Sequence, residues 1–285
     1  MPVNDMSTKP IRIAQISDLH IKAPGKRAYK RVDTAQALSR CIATLNGLTP
    51  APDLVVISGD LVDTPTEHEY EHLKDLLTGL RLPFAAVPGN HDSRDLMRSA
   101  FPDWAYAFPS GALNQCIELD ALDLLLLDSS VPGKPHGELD VPTLKWLDGT
   151  LSMSAQRPAL LFLHHPPFLT GIGHMDRQNL RNAADLASII RRHNRVQLIA
   201  SGHVHRAVLT AFAGITCTIC PAPNHAVALD LAELGEPSFA IEPPAFHLHV
   251  WFPGEGYGTI VTHQIPIGEF DGPHPFFDAV GNLID

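Results

Sequence analysis

Apolar residues in this chain fall into short runs, and each run ends at a polar loop. Residues 11–16 alternate apolar and polar and then stop, which predicts a first strand. Val32, Ala35, Leu38, Ile42 and Leu45 recur at helical spacing, with Gly47 and Pro50 as stop signals. Residues 54–57 read as a short buried strand, 68–80 as a helix, and 84–87 as a third strand ending at Pro88-Gly89.

The strand–helix alternation then weakens. Residues 116–119 and 122–127 read as consecutive strands joined tightly around Asp120-Ala121. A helix is expected over 143–151, a strand over 159–163, a helix over 183–193 and a strand over 196–200. Beyond His205 the pattern turns to strand, over 207–212, 215–219, 246–252 and 259–265, with Gly254-Glu-Gly256 as a hairpin turn between the last two. Alternation followed by extra consecutive strands predicts an α/β fold, a four-layer αββα sandwich of two mixed β-sheets flanked by helices. The reading is one catalytic domain over 1–229. A C-terminal extension over 230–285 is expected to complete the second sheet and to act as a cap or oligomerisation element. The Pro-rich stretch 236–244 reads as a surface connection.

Composition narrows the function classes. The chain has 285 residues, 45% of them hydrophobic and 18% charged, as an ordinary folded protein does. A net charge of −10 with no basic run argues against a nucleic-acid polymer as partner. The N-terminal stretch Met1 to Ile11 has no apolar core segment of the signal-peptide kind, and the apolar runs are too short to cross a bilayer. No membrane association and a cytoplasmic location are expected. Of the cysteines Cys41, Cys116, Cys217 and Cys220, the last two have C-x₂-C spacing, but no second pair completes a zinc site.

Five blocks of possible metal ligands follow predicted strands directly. They hold Asp18 and His20, then Asp60, then Asn90 in Gly89-Asn-His-Asp92, then His164 in His-His-Pro-Pro, and finally His203 and His205. In open α/β sheets the loops at the carboxyl ends of strands converge on one crevice. Asp18 and His20 are spaced to chelate one ion, a carboxylate such as Asp60 can bridge two ions, and His203 and His205 can each address one. Mixed nitrogen and oxygen donors without thiolate suit manganese, iron, zinc or cobalt. Two such divalent ions outweigh two carboxylates and a hydroxide, so the site attracts a phosphate anion despite the acidic chain. No Gly-x-Ser-x-Gly elbow or P-loop offers a different mechanism.

The ordered set Asp-x-His, Gly-Asp, Gly-Asn-His-Asp, His-His-Pro-Pro and Gly-His-x-His resembles the calcineurin-like metallophosphoesterase superfamily. Within it, Asp128-Ser-Ser130, residues 137–151 with Trp146, Met175-Asp176 and Asn182 resemble the bacterial class III cyclic-nucleotide phosphodiesterases and the glycerophosphodiesterases. The resemblance implies that Asp18, His20, Asp60 and His205 hold one divalent metal and that Asp60, Asn90, His164 and His203 hold the other. It implies that His91 sits over the phosphate, stabilising charge or assisting the leaving group, and that Asn182 and His225 border the substrate pocket. It also implies hydrolysis of small phosphodiesters, of cyclic-nucleotide or glycerophosphodiester type, by in-line attack of a metal-bridging hydroxide, and a homo-oligomer, dimer or higher. His165 and Asp63 are expected just behind the ligands.

Other readings compete. A phosphomonoesterase or phosphonate monoester hydrolase on the same site would need extra cations, for which Arg94 and Arg177 are the nearest by sequence. A catalytically dead binding scaffold would ordinarily have lost ligands, and none of the seven is missing. Eight other histidines (His68, His72, His136, His193, His247, His249, His263 and His274) read as structural. Asp92 reads as a helix cap, and Gly59 and Gly202 as turn glycines that also permit close backbone approach.

Overall fold

A computed structural model describes residues 9–154 and 156–284. The expectation for the N-terminal stretch falls mostly on residues 1–8, which lie outside the described residues. Among the described residues no helix is long and apolar enough to cross a membrane.

The first sheet holds β1 (Ile11–Ile16), β2 (Leu54–Ser58) and β3 (Phe84–Val87), parallel to one another, with β12 (Ala245–Phe252) and β13 (Thr259–Pro266), in the order β13-β12-β1-β2-β3. The second runs β4-β5-β6-β7-β9-β8, from β4 (Gln115–Leu119), β5 (Leu122–Leu127), β6 (Ala159–Leu163), β7 (Val196–Ser201), β8 (Val208–Phe212) and β9 (Ile215–Ile219). The period-2 rule then sorts the central strands between two apolar layers. Ile11 and Ile13 of β1, Leu54 and Val56 of β2, and Leu160 and Phe162 of β6 fill the space between the sheets. Ala14, Ile16, Val55 and Ile57 turn outward against α1 (Thr34–Gly47) and α2 (Glu67–Leu77). Leu161 and Leu163 turn outward against α4 (Val141–Met153) and α6 (Ala183–Arg192). The four-layer αββα arrangement follows from these three apolar layers.

The C-terminal strands correct one expectation. β12 (Ala245–Phe252) pairs antiparallel with β1, from Ile11↔Trp251 to Gln15↔His247, and β13 (Thr259–Pro266) pairs with β12. Residues after 230 therefore complete the first sheet, not the second. Both faces of β1 are apolar, so β1 would make a poor exposed edge. β12 covers it, and β13, largely exposed, takes the edge instead. The helix expected over 68–80 ends at Leu77, where Thr78 and Gly79 close the last turn. Short elements escape the periodicity altogether: α3 (Arg94–Ala100), α5 (Gly173–Asp176) and the ribbon of β10 (Ala226–Val227) and β11 (Phe239–Ala240).

Phe162 lies fully buried between the sheets. Phe162→Ala is expected to cost about 3–5 kcal/mol, the range for deleting a buried aromatic ring. Urea unfolding measures this, and a loss below about 1 kcal/mol would contradict a close-packed layer between the sheets.

Candidate metal centre

Loops leaving the carboxyl ends of β1, β2, β3, β6 and β7 bring the seven expected ligands together. Backbone bonds zip the loops to one another: the Asp18 amide donates to the Gly59 carbonyl (3.0 Å), His20 to Asp60 (2.9 Å) and Gly202 to His164 (3.0 Å). Asp18, His20, Asp60, His203 and His205 all have positive φ, between 47° and 74°. Side chains avoid that region, so such strain persists only where the surroundings over-determine it, as at functional sites. Glycine permits the crowding. A Cβ on Gly59 would stand 2.3 Å from His164 Nδ1, and one on Gly89 would stand 2.1 Å from Asp60 Oδ1.

Hydrogen bonds on the outer side of the rings orient them. His164 Nδ1 lies 2.8 Å from the Ser58 carbonyl and His205 Nδ1 lies 3.2 Å from the His225 carbonyl. A carbonyl oxygen only accepts, so Nδ1 carries the proton in both rings and Nε2 turns inward. His20 Nδ1 likewise faces Asp63 Oδ1 at 3.3 Å. In the first inner group, His20 Nε2 lies 3.3 Å from His205 Nε2 and 3.5 Å from Asp60 Oδ2, and His205 Nε2 lies 3.3 Å from Asp18 Oδ1. In the second, His164 Nε2 lies 3.2 Å from Asn90 Oδ1, 3.3 Å from His203 Nδ1 and 3.4 Å from Asp60 Oδ2. Asp60 Oδ2 is common to both.

Electrostatics show what so many inward lone pairs demand. Burial would strip a proton from His164, yet Asp60 and Asp18 outweigh it and raise the ring to about 9. Burial pushes Asp60 up, but His164 and His91 win and hold it well below the usual carboxylate range. Burial keeps His203 and His205 neutral, helped for each by neighbouring histidines. Imidazole nitrogens and an ionised carboxylate, all aimed at two adjacent points, make a donor set that fits two divalent cations, which would take the place of the protons His164 and His20 hold.

The supporting residues divide. Asp63 takes His20 and also Lys22, whose Nζ is 2.8 Å away. His165 is fully buried, with Nδ1 2.9 Å from Ser129 Oγ and its ring 4.8 Å from that of His203. His91 donates its backbone N–H to Asp60 Oδ1 (2.8 Å) and its Nδ1–H to the Asp63 carbonyl (2.8 Å). His91 and His225 line a cavity of about 430 Å³ over the centre.

Three expectations change. Asn182 lies outside the cavity lining, because its side chain accepts from the Leu139 N–H (3.0 Å) and donates to the Leu139 carbonyl (2.8 Å). Asp92 does not cap a helix; Ser93 caps α3, while Asp92 accepts from the Gly89 and Leu61 amides and the Tyr70 hydroxyl. Arg94 is committed to Asp128 and the Ser130 carbonyl. Sequence reasoning also missed Tyr29, His174, Gln178 and Phe239 in the cavity wall, since no local pattern marks loop residues that meet only through the fold. Among the other histidines, His72 binds the Lys22 carbonyl, His193 binds Asp148 and His249 binds Gln15.

A profile of the calcineurin-like phosphoesterases matches residues 11–207. The chain belongs to that family. Calcineurin-like phosphoesterases use a dinuclear metal centre, and the paired groups around Asp60 are a candidate site for one. A probable glycerophosphodiester phosphodiesterase of Arcobacter nitrofigilis is 39% identical over 274 residues, covering 96% of this chain and 99% of its own. The 3',5'-cyclic adenosine monophosphate phosphodiesterase of Escherichia coli K12 is 34% identical over 196 residues, 69% of this chain and 70% of its own. The crystal structure of a dimetal phosphatase from Danio rerio superposes with a TM-score of 0.61, covering 90% of this chain and 99% of that one; at 14% identity it shows the shared fold.

Metal removal is the direct check on this centre. Chelation with EDTA should lower the melting temperature and added Mn²⁺ restore it, since a ligand at a hundredfold its Kd stabilises the folded state by about 3 kcal/mol. Gly89→Ala, which pushes against Asp60, should weaken metal retention by roughly ten- to a hundredfold. Equal metal-to-protein ratios after dialysis of variant and wild type would refute that role for Gly89.

Proposed function

We propose that this calcineurin-like phosphoesterase is a metal-dependent hydrolase of small phosphodiesters, of the cyclic-nucleotide or glycerophosphodiester type. The observation that carries it is the pair of donor groups sharing Asp60 at the floor of a cavity whose described lining holds no lysine or arginine. Asp18, His20, Asp60 and His205 would hold one divalent ion, and Asp60, Asn90, His164 and His203 the other, drawn from manganese, iron, zinc or cobalt. Such ions supply Lewis acidity to the phosphoryl group and to the attacking water. Asn90 contributes a neutral oxygen, so the floor keeps the positive charge that draws a phosphate anion. His91, tied at Nδ1 to the Asp63 carbonyl, presents its ring to the cavity, where it stabilises phosphoryl charge or serves the departing oxygen. Asp63 and His165 orient ligand rings from behind, and His225 forms part of the substrate wall.

The names of the relatives at 39% and 34% identity support the diester assignment. A phosphomonoester dianion would call for a further cation, and Arg94 is spent on Asp128 while Arg177 is absent from the lining. Four unpaired cysteines support a reducing, cytoplasmic location. Phe276 and Val280 in the C-terminal tail are 79% and 82% exposed, which supports burial of the tail in a homo-oligomer.

Asn90→Ala and His91→Ala should each reduce hydrolysis of bis(p-nitrophenyl) phosphate on the order of a hundredfold while leaving the circular dichroism unchanged. Faster turnover of p-nitrophenyl phosphate than of the diester would overturn the assignment, as would full activity of Asn90→Ala in manganese-controlled buffer.

A further inference from the structure

The wall of the cavity over the metal floor is built from aromatic rings that the proposed chemistry leaves unused. Tyr29 and Phe239 stack on one another, with ring centroids 5.0 Å apart and planes 29° apart. His225 meets both edge-on, at 5.3 Å and 5.4 Å. All three line the same cavity as Asp60, Asn90 and His91. Tyr29 nevertheless remains 55% exposed, so its ring is not there to fill core.

The backbone holds Tyr29 in place at a conformational cost. Ala28 and Val32 exchange two backbone bonds (3.0 and 2.9 Å), and the Arg31 amide closes the turn onto the Ala28 carbonyl at 3.0 Å. Tyr29 and Lys30 occupy the two central positions with φ of 49° and 57°. A turn with positive φ at both central residues favours Asn-Gly, and a tyrosine and a lysine are poor choices for it on backbone grounds. Phe239 is fixed by different means: it lies on β11, opposite Val227 of β10, in the ribbon that follows His225 directly. Two segments far apart in sequence thus deliver two rings to one spot.

We propose that Tyr29 and Phe239 form a stacking platform for a planar ring on the substrate's ester group, so that the site selects a nucleoside-type diester over one with aliphatic ester groups. This rests on the diesterase reading above and names the substrate class within it. Stacking tolerates any base, because every base offers a π-face. Gln178, Ser238 and His174, in the same lining, supply the donors and acceptors that a base edge requires. A quaternary ammonium head group is the other ligand that aromatic walls attract, but its cage needs ring faces that converge on one point. Tyr29 and Phe239 instead turn faces toward each other, and a flat ring extends such a stack. Among the described residues the lining has no lysine or arginine to hold a second anionic group.

The test is a specificity ratio on the metal-loaded protein, kcat/KM for cyclic AMP divided by that for glycerophosphoethanolamine. Tyr29→Ala and Phe239→Ala should each lower the ratio roughly ten- to a hundredfold, mainly through KM for cyclic AMP. Tyr29→Phe, which keeps the ring and loses the hydroxyl, should retain the wild-type ratio and guards against a folding artefact. An unchanged ratio in Tyr29→Ala, with wild type active on both diesters, would overturn the platform and leave the diesterase reading standing. Selective loss of glycerophosphocholine hydrolysis would overturn it in favour of a cation cage. Failure of the wild type to hydrolyse any diester would overturn the diesterase reading and the platform with it.

Discussion

One buried carboxylate oxygen, Oδ2 of Asp60, stands between two clusters of inward-facing donors. An ionised carboxylate buried from water is expensive unless its surroundings return the lost solvation. Here the return comes from His164, His91 and His20 and from the His91 backbone amide, which donates to the other oxygen of the same group. Much of the surrounding architecture serves that residue. Gly89 leaves room for it, Asp92 ties the amides of Gly89 and Leu61 around it, and the His20 amide donates to the Asp60 carbonyl.

That arrangement explains why the ligand loops carry so much left-handed backbone. A strand keeps residues i and i+2 on one face, but each ligand pair lies in the loop beyond its strand, where that alternation no longer holds. A left-handed residue reverses the chain locally and turns the side chain back toward the crevice. Asp18 and His20 use this device after β1, Asp60 after β2, and His203 and His205 after β7. Sequence spacing alone suggested that Asp18 and His20 could turn the same way and that His203 and His205 could each address one ion; the left-handed backbone turns them inward, and the inter-loop hydrogen bonds offset the strain.

Legibility followed physical visibility. The strands of the two sheets were readable because each is a short apolar run cut off by a polar loop, and the ligands were readable because they sit at those cut-offs. Asn182 was expected at the pocket from the family resemblance alone, and both ends of its amide are spent on Leu139. Asp92 reads as a cap because a loop acid commonly takes that place, yet the adjacent Ser93 caps α3 and leaves Asp92 to the loops. β12 was visible as a strand but not as the partner of β1, since pairing between residues more than two hundred positions apart leaves no local trace. Tyr29 was invisible for the opposite reason: a tyrosine in a polar loop, without Gly or Asn beside it, carries no turn signal at all.

The same logic reaches into the core. Between the sheets, apolar side chains give way to polar ones toward the carboxyl ends of the strands. Gln15 of β1 is fully buried there; its Nε2 donates to Ser58 Oγ (2.8 Å) and, across the layer, to the Ser201 carbonyl (3.0 Å), while its Oε1 accepts from His249 (3.0 Å). His249 in turn meets Thr262 Oγ1 on β13 at 2.8 Å. A buried amide left unpaired would be costly, so this network specifies how the two sheets sit against each other. β1 and β2 carry Asp18, His20 and Asp60, whereas β7 carries His203 and His205. The two metal-ligand groups can share Asp60 only if the sheets keep this alignment, so C-terminal strands that contain none of the seven ligands still govern the centre's geometry through His249.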